Sequence, residues 1–144
     1  MTDDTKREEQ HHILVQELVD LFTNAAYKVL AVDGVEGYPP PNPLHNDGYG
    51  DQEDKRPDVY AFDESSRQYV IGEAKTGLGD FETDHALTQY NVYLDQRDDR
   101  SGSSARLYLI LPSSKVAEFN TLITHYIHPD YWERITLVAS RRCS

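Results

Sequence analysis

Pro57-Asp58-Val59-Tyr60-Ala61-Phe62, Asp63-Glu64-Ser65-Ser66-Arg67 and Gln68-Tyr69-Val70-Ile71-Gly72-Glu73-Ala74-Lys75 follow one another as strand, turn and strand. The first and third runs are rich in β-branched and aromatic residues. The middle one has the short polar side chains of a turn. A hairpin is predicted, with Ser65 and Ser66 at its tip.

Two acids and a lysine stand at the open end of this hairpin. Strand side chains alternate between faces, so Glu73 and Lys75 point the same way. A hairpin symmetric about Ser65 and Ser66 sets Asp58 directly opposite Glu73. Directly opposed residues have Cβ atoms about 5 Å apart, and two carboxylates at that distance repel unless a cation lies between them. A hard divalent ion with oxygen ligands, Mg²⁺ above all, meets that need, with backbone carbonyls and water completing its shell. Lys75 beside it would hold an attacking water and stabilise charge building on a phosphate. The plainer reading is an acidic surface hairpin with Glu73 paired to Lys75. Against it, the charges follow the apolar Val70-Ile71 directly, and small Gly72 and Ala74 are expected to leave room for a ligand.

On the N-terminal side, Leu14, Leu18, Leu21, Phe22 and Ala25 mark one face of a helix from about residue 4 to 26, with Thr5 and Glu8 at capping-box spacing. Tyr27 to Val32 reads as a strand. Asp33 to Lys55 holds four prolines and four glycines, so a long loop is expected there. On the C-terminal side, Thr76 to Asp80 is a loop, and Asp80 or Thr83 caps a helix running to about Asp95. Arg106 to Leu111 is a strand, Ser113 or Ser114 starts a helix through about Tyr126, and Arg134 to Ala139 is a last strand. The order α-β-β-β-α-β-α-β predicts an α/β fold around a mixed central sheet. One domain over residues 1–144 is expected, with a long loop at 33–56 and a tail at 140–144.

Pro57-Asp58, a gap of fourteen residues, then Glu73-Ala74-Lys75 resembles the signature of the PD-(D/E)xK phosphodiesterase superfamily. These are the restriction-endonuclease-like nucleases, which include Holliday-junction resolvases, recombination exonucleases and restriction enzymes. The resemblance implies an αβββαβ core with helices on both sides of a mixed sheet, to which this chain adds a C-terminal helix and strand. It implies that Asp58 and Glu73 bind Mg²⁺ or Mn²⁺ together with the carbonyl of Ala74. Lys75 then acts on the attacking water, which displaces the leaving group in line and leaves a 5'-phosphate. Gln89-Tyr90-Asn91-Val92-Tyr93 is similar to the Gln-x-x-x-Tyr pattern of many members, which adds Gln89 to the catalytic set; Tyr93 is expected to be ordinary core. Members often place a first-helix Glu near the metal. Glu17 is the favoured residue for that role, with Glu8 and His11 as alternatives.

The remaining polar clusters are less specific. Adjacent His11 and His12 diverge on a helix, and His45 with Asp47, Asp51, Glu53 and Asp54 reads as a solvated acidic loop. No partner is assigned to His85, His125 or His128.

The chain has 25 acidic and 14 basic side chains and a net charge of -11, which excludes a simple basic nucleic-acid clamp and a binder of anionic membranes. Its single cysteine, Cys143, allows no internal disulfide and suits a reducing, cytoplasmic setting. Met1 to Gln10 lacks the apolar core of a secretory signal, and no apolar run is long enough to span a bilayer. The expected function is a metal-dependent nuclease hydrolysing phosphodiester bonds in DNA, in repair, recombination or defence. The alternative is a catalytically weak or inactive nuclease-fold subunit serving as an interaction module in a DNA-processing complex. A third reading is an acidic DNA mimic, which has no use for Lys75 beside Glu73. A protein partner or a homodimer is compatible with the first two. Acidity concentrated from Asp47 to Asp63 predicts low non-specific affinity for duplex DNA. Such a nuclease relies on divalent ions, a partner, a locally basic groove or high salt.

Overall fold

The computed structural model describes residues 3–46, 48, 53–78 and 84–144. Asp47, Asp51, Asp80 and Thr83 lie outside the described residues, as do the side chains of His85, Ala86 and Leu87. The elements run α1 (Asp3–Asn24), β1 (Lys28–Val32), β2 (Val59–Asp63), β3 (Gln68–Ala74), α2 (Asp84–Leu94), β4 (Arg106–Leu111), α3 (Val116–Tyr126) and β5 (Ile135–Ala139). Short 3₁₀ turns at Ser113–Lys115 and Pro129–Arg134 precede α3 and β5. The five strands form one sheet in the order β1-β2-β3-β4-β5. β1, β2 and β3 pair antiparallel, whereas β3, β4 and β5 pair parallel. The parallel pairs need crossovers, and α2 and α3 supply them. The mixed α/β architecture is therefore as expected.

The alternation along β3 sorts the two faces. Val70, Gly72 and Ala74 meet α1, while Ile71, Glu73 and Lys75 face the α2 side. Leu14, Val15, Leu18 and Phe22 of α1 pack with Val59, Ala61, Val70 and Ile110 on the first face. Tyr90, Tyr93, Phe119, Leu122 and Ile123 of α2 and α3 pack with Ile71, Leu107 and Leu109 on the second.

Three local expectations are corrected. Helix α1 already includes Thr5, so Thr5 is not its N-cap and makes no capping box with Glu8. The same helix ends at Asn24 because Ala26 takes a left-handed conformation (φ 64°) and the Tyr27 N–H bonds the Phe22 carbonyl at 3.0 Å. That six-residue closure is a Schellman cap, which uses up Tyr27 and delays β1 to Lys28. Third, the space beside Gly72 is not a ligand's. A Cβ built there would lie 2.4 Å from Leu18 Cδ2 and 3.2 Å from the Phe22 ring, so Gly72 is small to let α1 onto the sheet.

The long loop forms no helix or strand among its described residues, but it is tied down. Leu44 and Lys55 make one isolated antiparallel bridge, and the Val32 N–H bonds the Pro39 carbonyl at 3.0 Å.

Candidate active site

Register brings the site together. Val59 pairs with Gly72 and Asp63 with Gln68, the symmetric hairpin that sets Asp58 against Glu73. The hairpin's open end points at the N-terminal half of α1. There a cavity of about 420 Å³ forms. Arg7, Glu8, His11 and His12 come from α1, and Asp33 and Gly34 from the end of β1. Arg56 comes from the loop before β2, Asp58, Glu73, Ala74 and Lys75 from the open end of the hairpin, and Gln89 from α2.

Four polar side chains in its wall are buried: Asp58, Glu73, Lys75 and Gln89. Asp58 Oδ2 accepts the Ala74 N–H at 2.8 Å and faces His11 Nε2 at 3.0 Å. Burial alone would raise the Asp58 pKa. Hydrogen bonds from His11 and Glu73, the His11 charge and the Ala74 N–H outweigh burial and hold it below the usual carboxylate value. Glu73 is pushed the other way. Burial, then the Asp58 charge, raise its pKa well above the usual value, against the pull of Lys75 and the Tyr93 hydroxyl. The two carboxyls thus share a site that cannot hold two bare negative charges at low cost.

Tyr93 supplies a contact that sequence spacing did not reveal. Its ring is buried in the core, as expected, but its hydroxyl lies 2.8 Å from the Arg56 carbonyl and 3.1 Å from Glu73 Oε2. One hydroxyl proton cannot serve both acceptors. The Tyr93 proton goes to one or the other, and the proton that Glu73 holds faces Asp58, whose charged form it stabilises. Lys75 does not pair with Glu73. Its ammonium donates to Gln89 Oε1 at 2.7 Å and lies 5.6 Å from the centre of the Tyr90 ring. Gln89 and Tyr93, one turn apart on α2, therefore reach Lys75 and Glu73 respectively.

Glu17 is not part of this constellation. Its carboxylate accepts the Ser140 hydroxyl at 2.5 Å and the Arg141 N–H at 2.6 Å, fastening α1 to the end of β5. The reason is helical geometry: Glu17 lies nearly two turns beyond His11, toward the far end of α1. Of the three α1 candidates, His11 and Glu8 reach the cavity. Arg56, Asp33 and Gly34 also line it, and nothing in their sequence context marked them. His45 lies 3.5 Å from Asp54 in an exposed pair away from the cavity. His128 caps the second 3₁₀ turn by accepting the Asp130 N–H at 3.2 Å.

Among the described residues no three His, Cys, Asp or Glu side chains converge as a ready metal cage. Two facing carboxylates in the wall of a cavity nevertheless suit Mg²⁺, which binds through one or two carboxylates and keeps several waters. The described residues also contain no helix long and apolar enough to cross a membrane. Comparison with protein-family models, with curated proteins and with solved structures finds no match for this chain.

Proposed function

We propose that the chain is a divalent-metal-dependent nuclease that hydrolyses phosphodiester bonds in DNA, on a restriction-endonuclease-like core. The observation that carries this reading is the meeting of buried Asp58, Glu73 and Lys75 in one cavity wall. Burying two opposed carboxylates costs stability, and an acid shifted as Glu73 is, in a cleft beside a charged partner, is characteristic of functional sites. Asp58, Glu73 and the Ala74 carbonyl are the residues that would hold Mg²⁺ or Mn²⁺. When bound, the ion polarises the scissile phosphate and favours deprotonation of a water.

The protein's own groups do the rest. His11 orients Asp58 through the 3.0 Å contact, and Tyr93 orients Glu73. Lys75, steadied by Gln89, positions the attacking water and stabilises charge growing on the phosphate oxygens. Gln89 is then a positioning residue for Lys75. Arg7 and Arg56 line the same cavity beside Glu8 and Asp33, and bring positive charge to the approach of a phosphate. The single cysteine fits work in the reducing cytoplasm.

The test is incubation with supercoiled and linear DNA in Mg²⁺, Mn²⁺ or EDTA. Cleavage should need the ion and disappear in Glu73→Ala and Lys75→Ala. Cleavage that persists in both variants removes this site assignment. Absence of Mn²⁺ binding at millimolar concentration by calorimetry would favour the interaction-module alternative.

A further inference from the structure

The sheet has a second polar face at the opposite end of the hairpin. On the side away from α1, helices α2 and α3 lie over β4 and β5. Toward the other edge, Lys28 is the cross-strand neighbour of Phe62, and Phe62 of Tyr69, which makes a row across three strands. Tyr60 stacks on Tyr69 with ring centres 5.1 Å apart and planes 19° apart, and Phe62 meets Tyr69 edge-on at 5.2 Å. The Arg67 guanidinium sits 5.7 Å from the centre of the Phe62 ring. Lys28, Phe62, Arg67, Tyr69 and Arg100 line one groove, which shares Leu30 with a second groove walled by Pro39, Pro40 and Tyr60. Together they follow β1 toward its end at Val32, next to the Asp33 that lines the catalytic cavity.

We propose that this aromatic and basic groove binds single-stranded nucleic acid. Bases stack against Phe62 and Tyr69, and phosphates meet Lys28, Arg67 and Arg100. Phe62, Tyr69 and Tyr60 are only partly buried although they lie on the sheet face, and cations border the groove at Phe62 and Tyr69. Every base has a π face, so such a surface is tolerant of sequence but needs bases released from pairing. A duplex hides those faces. Two acids, Glu64 and Asp98, also border the groove. Asp98 accepts the Ser101 N–H at 2.9 Å and lies 3.8 Å from Arg67, so three cations stand against two acids and the groove keeps one positive charge in excess. That local excess is the charge complementarity a phosphate chain requires, in a molecule whose net charge of -11 repels it elsewhere. The groove needs no metal, so the inference stands apart from the nuclease reading.

Fluorescence anisotropy of the whole chain with a labelled oligo(dT) strand, in EDTA and low salt, tests it. A duplex of equal length is the comparison. The single strand should bind at least tenfold tighter than the duplex. Lys28→Ala with Arg100→Ala changes two exposed side chains and should flatten the slope of log affinity against log salt by about 1.4. Phe62→Leu, which keeps most of the packing volume, should weaken binding roughly fivefold or more. Thermal melts matching the parent protein certify the fold of each variant. Duplex bound as tightly as single strand, or affinity unmoved by all three changes, overturns the proposal. So does self-association of the chain through this face, seen as a concentration-dependent mass lost in the charge variant. Loss of DNA cleavage alone leaves binding in EDTA intact and bears only on the catalytic site.

Discussion

The Lys75 ammonium is held by Gln89 Oε1 at 2.7 Å, a bond that joins the end of β3 to the middle of α2. Lysine side chains lose much rotamer freedom when fixed, so a partner that pre-sets Lys75 leaves less to be ordered when substrate arrives. Lys75→Met should lower the cleavage rate by roughly 100-fold or more, the range of positioned proton-transfer groups. Gln89→Ala should cost less, about tenfold, with metal affinity unchanged. Single-turnover cleavage and Mn²⁺ calorimetry on both variants check this pair. Equal losses in the two would mean that Gln89 acts on substrate directly.

Glu73 makes the metal-free protein sensitive to pH. Its folded pKa stands above the unfolded value of 4.5, because burial and Asp58 disfavour its charged form. Between those two values the folded chain binds more protons than the unfolded chain. Stability is then full below about 4.5 and falls as pH rises toward the folded pKa. Asp58 acts in the opposite sense below its usual value of 3.8, where protonation removes the contacts of its charged form. In EDTA the melting temperature should therefore decline as pH rises above 4.5, and Mg²⁺ should reverse the decline. Glu73→Gln should abolish both the slope and the Mg²⁺ response, read by melts from pH 4.5 to 8. A Glu73→Gln protein that keeps the Mg²⁺ response would remove Glu73 from the ligand set.

Glu17 should matter for stability and not for chemistry. Its carboxylate accepts from Ser140 and from the Arg141 N–H, and loss of charged hydrogen bonds of this kind costs about 1–3 kcal/mol. Glu17→Ala should lower the denaturant midpoint accordingly, with cleavage per folded molecule and Mn²⁺ affinity unchanged. A drop in Mn²⁺ affinity would return Glu17 to the metal site.

The hairpin was legible because its information is local. Tip composition set the register, and register alone brought Asp58 to Glu73. Element order was legible for the same reason, since helix and strand periods survive without knowledge of partners. What could not be read was the depth at which α1 crosses the sheet. Glu8, His11 and Glu17 all fall on or near the helix's apolar face, and periodicity cannot say which turn faces the hairpin's open end. That depends on Leu18 and Phe22 settling over Gly72, a contact between residues far apart in the chain. Arg56 and Asp33 were hidden for a related reason, because loops enter a site through tertiary placement rather than pattern. Tyr93 had two roles at once, and the core role masked the polar one.

Gly72 is where the packing of α1 and the geometry of the site meet. Its neighbour Glu73 is a proposed ligand, and its missing side chain is what allows Leu18 and Phe22 to approach β3. Leu18 is fully buried, so its clashing methyl group has to shift within the packed layer between α1 and the sheet. Gly72→Ala should therefore act as an overpacking change costing about 1–3 kcal/mol, although alanine is the better strand residue. The lifted helix would also carry His11 away from Asp58. Denaturant melts should show the loss, and Mn²⁺ calorimetry should show weaker binding in the same variant. Leu18→Ala in the Gly72→Ala background removes the clashing methyl groups and should restore the Mn²⁺ affinity while leaving the cavity cost in stability. If Gly72→Ala binds Mn²⁺ as well as the parent chain, then α1 does not set the position of the carboxylates, and His11 is a bystander to Asp58.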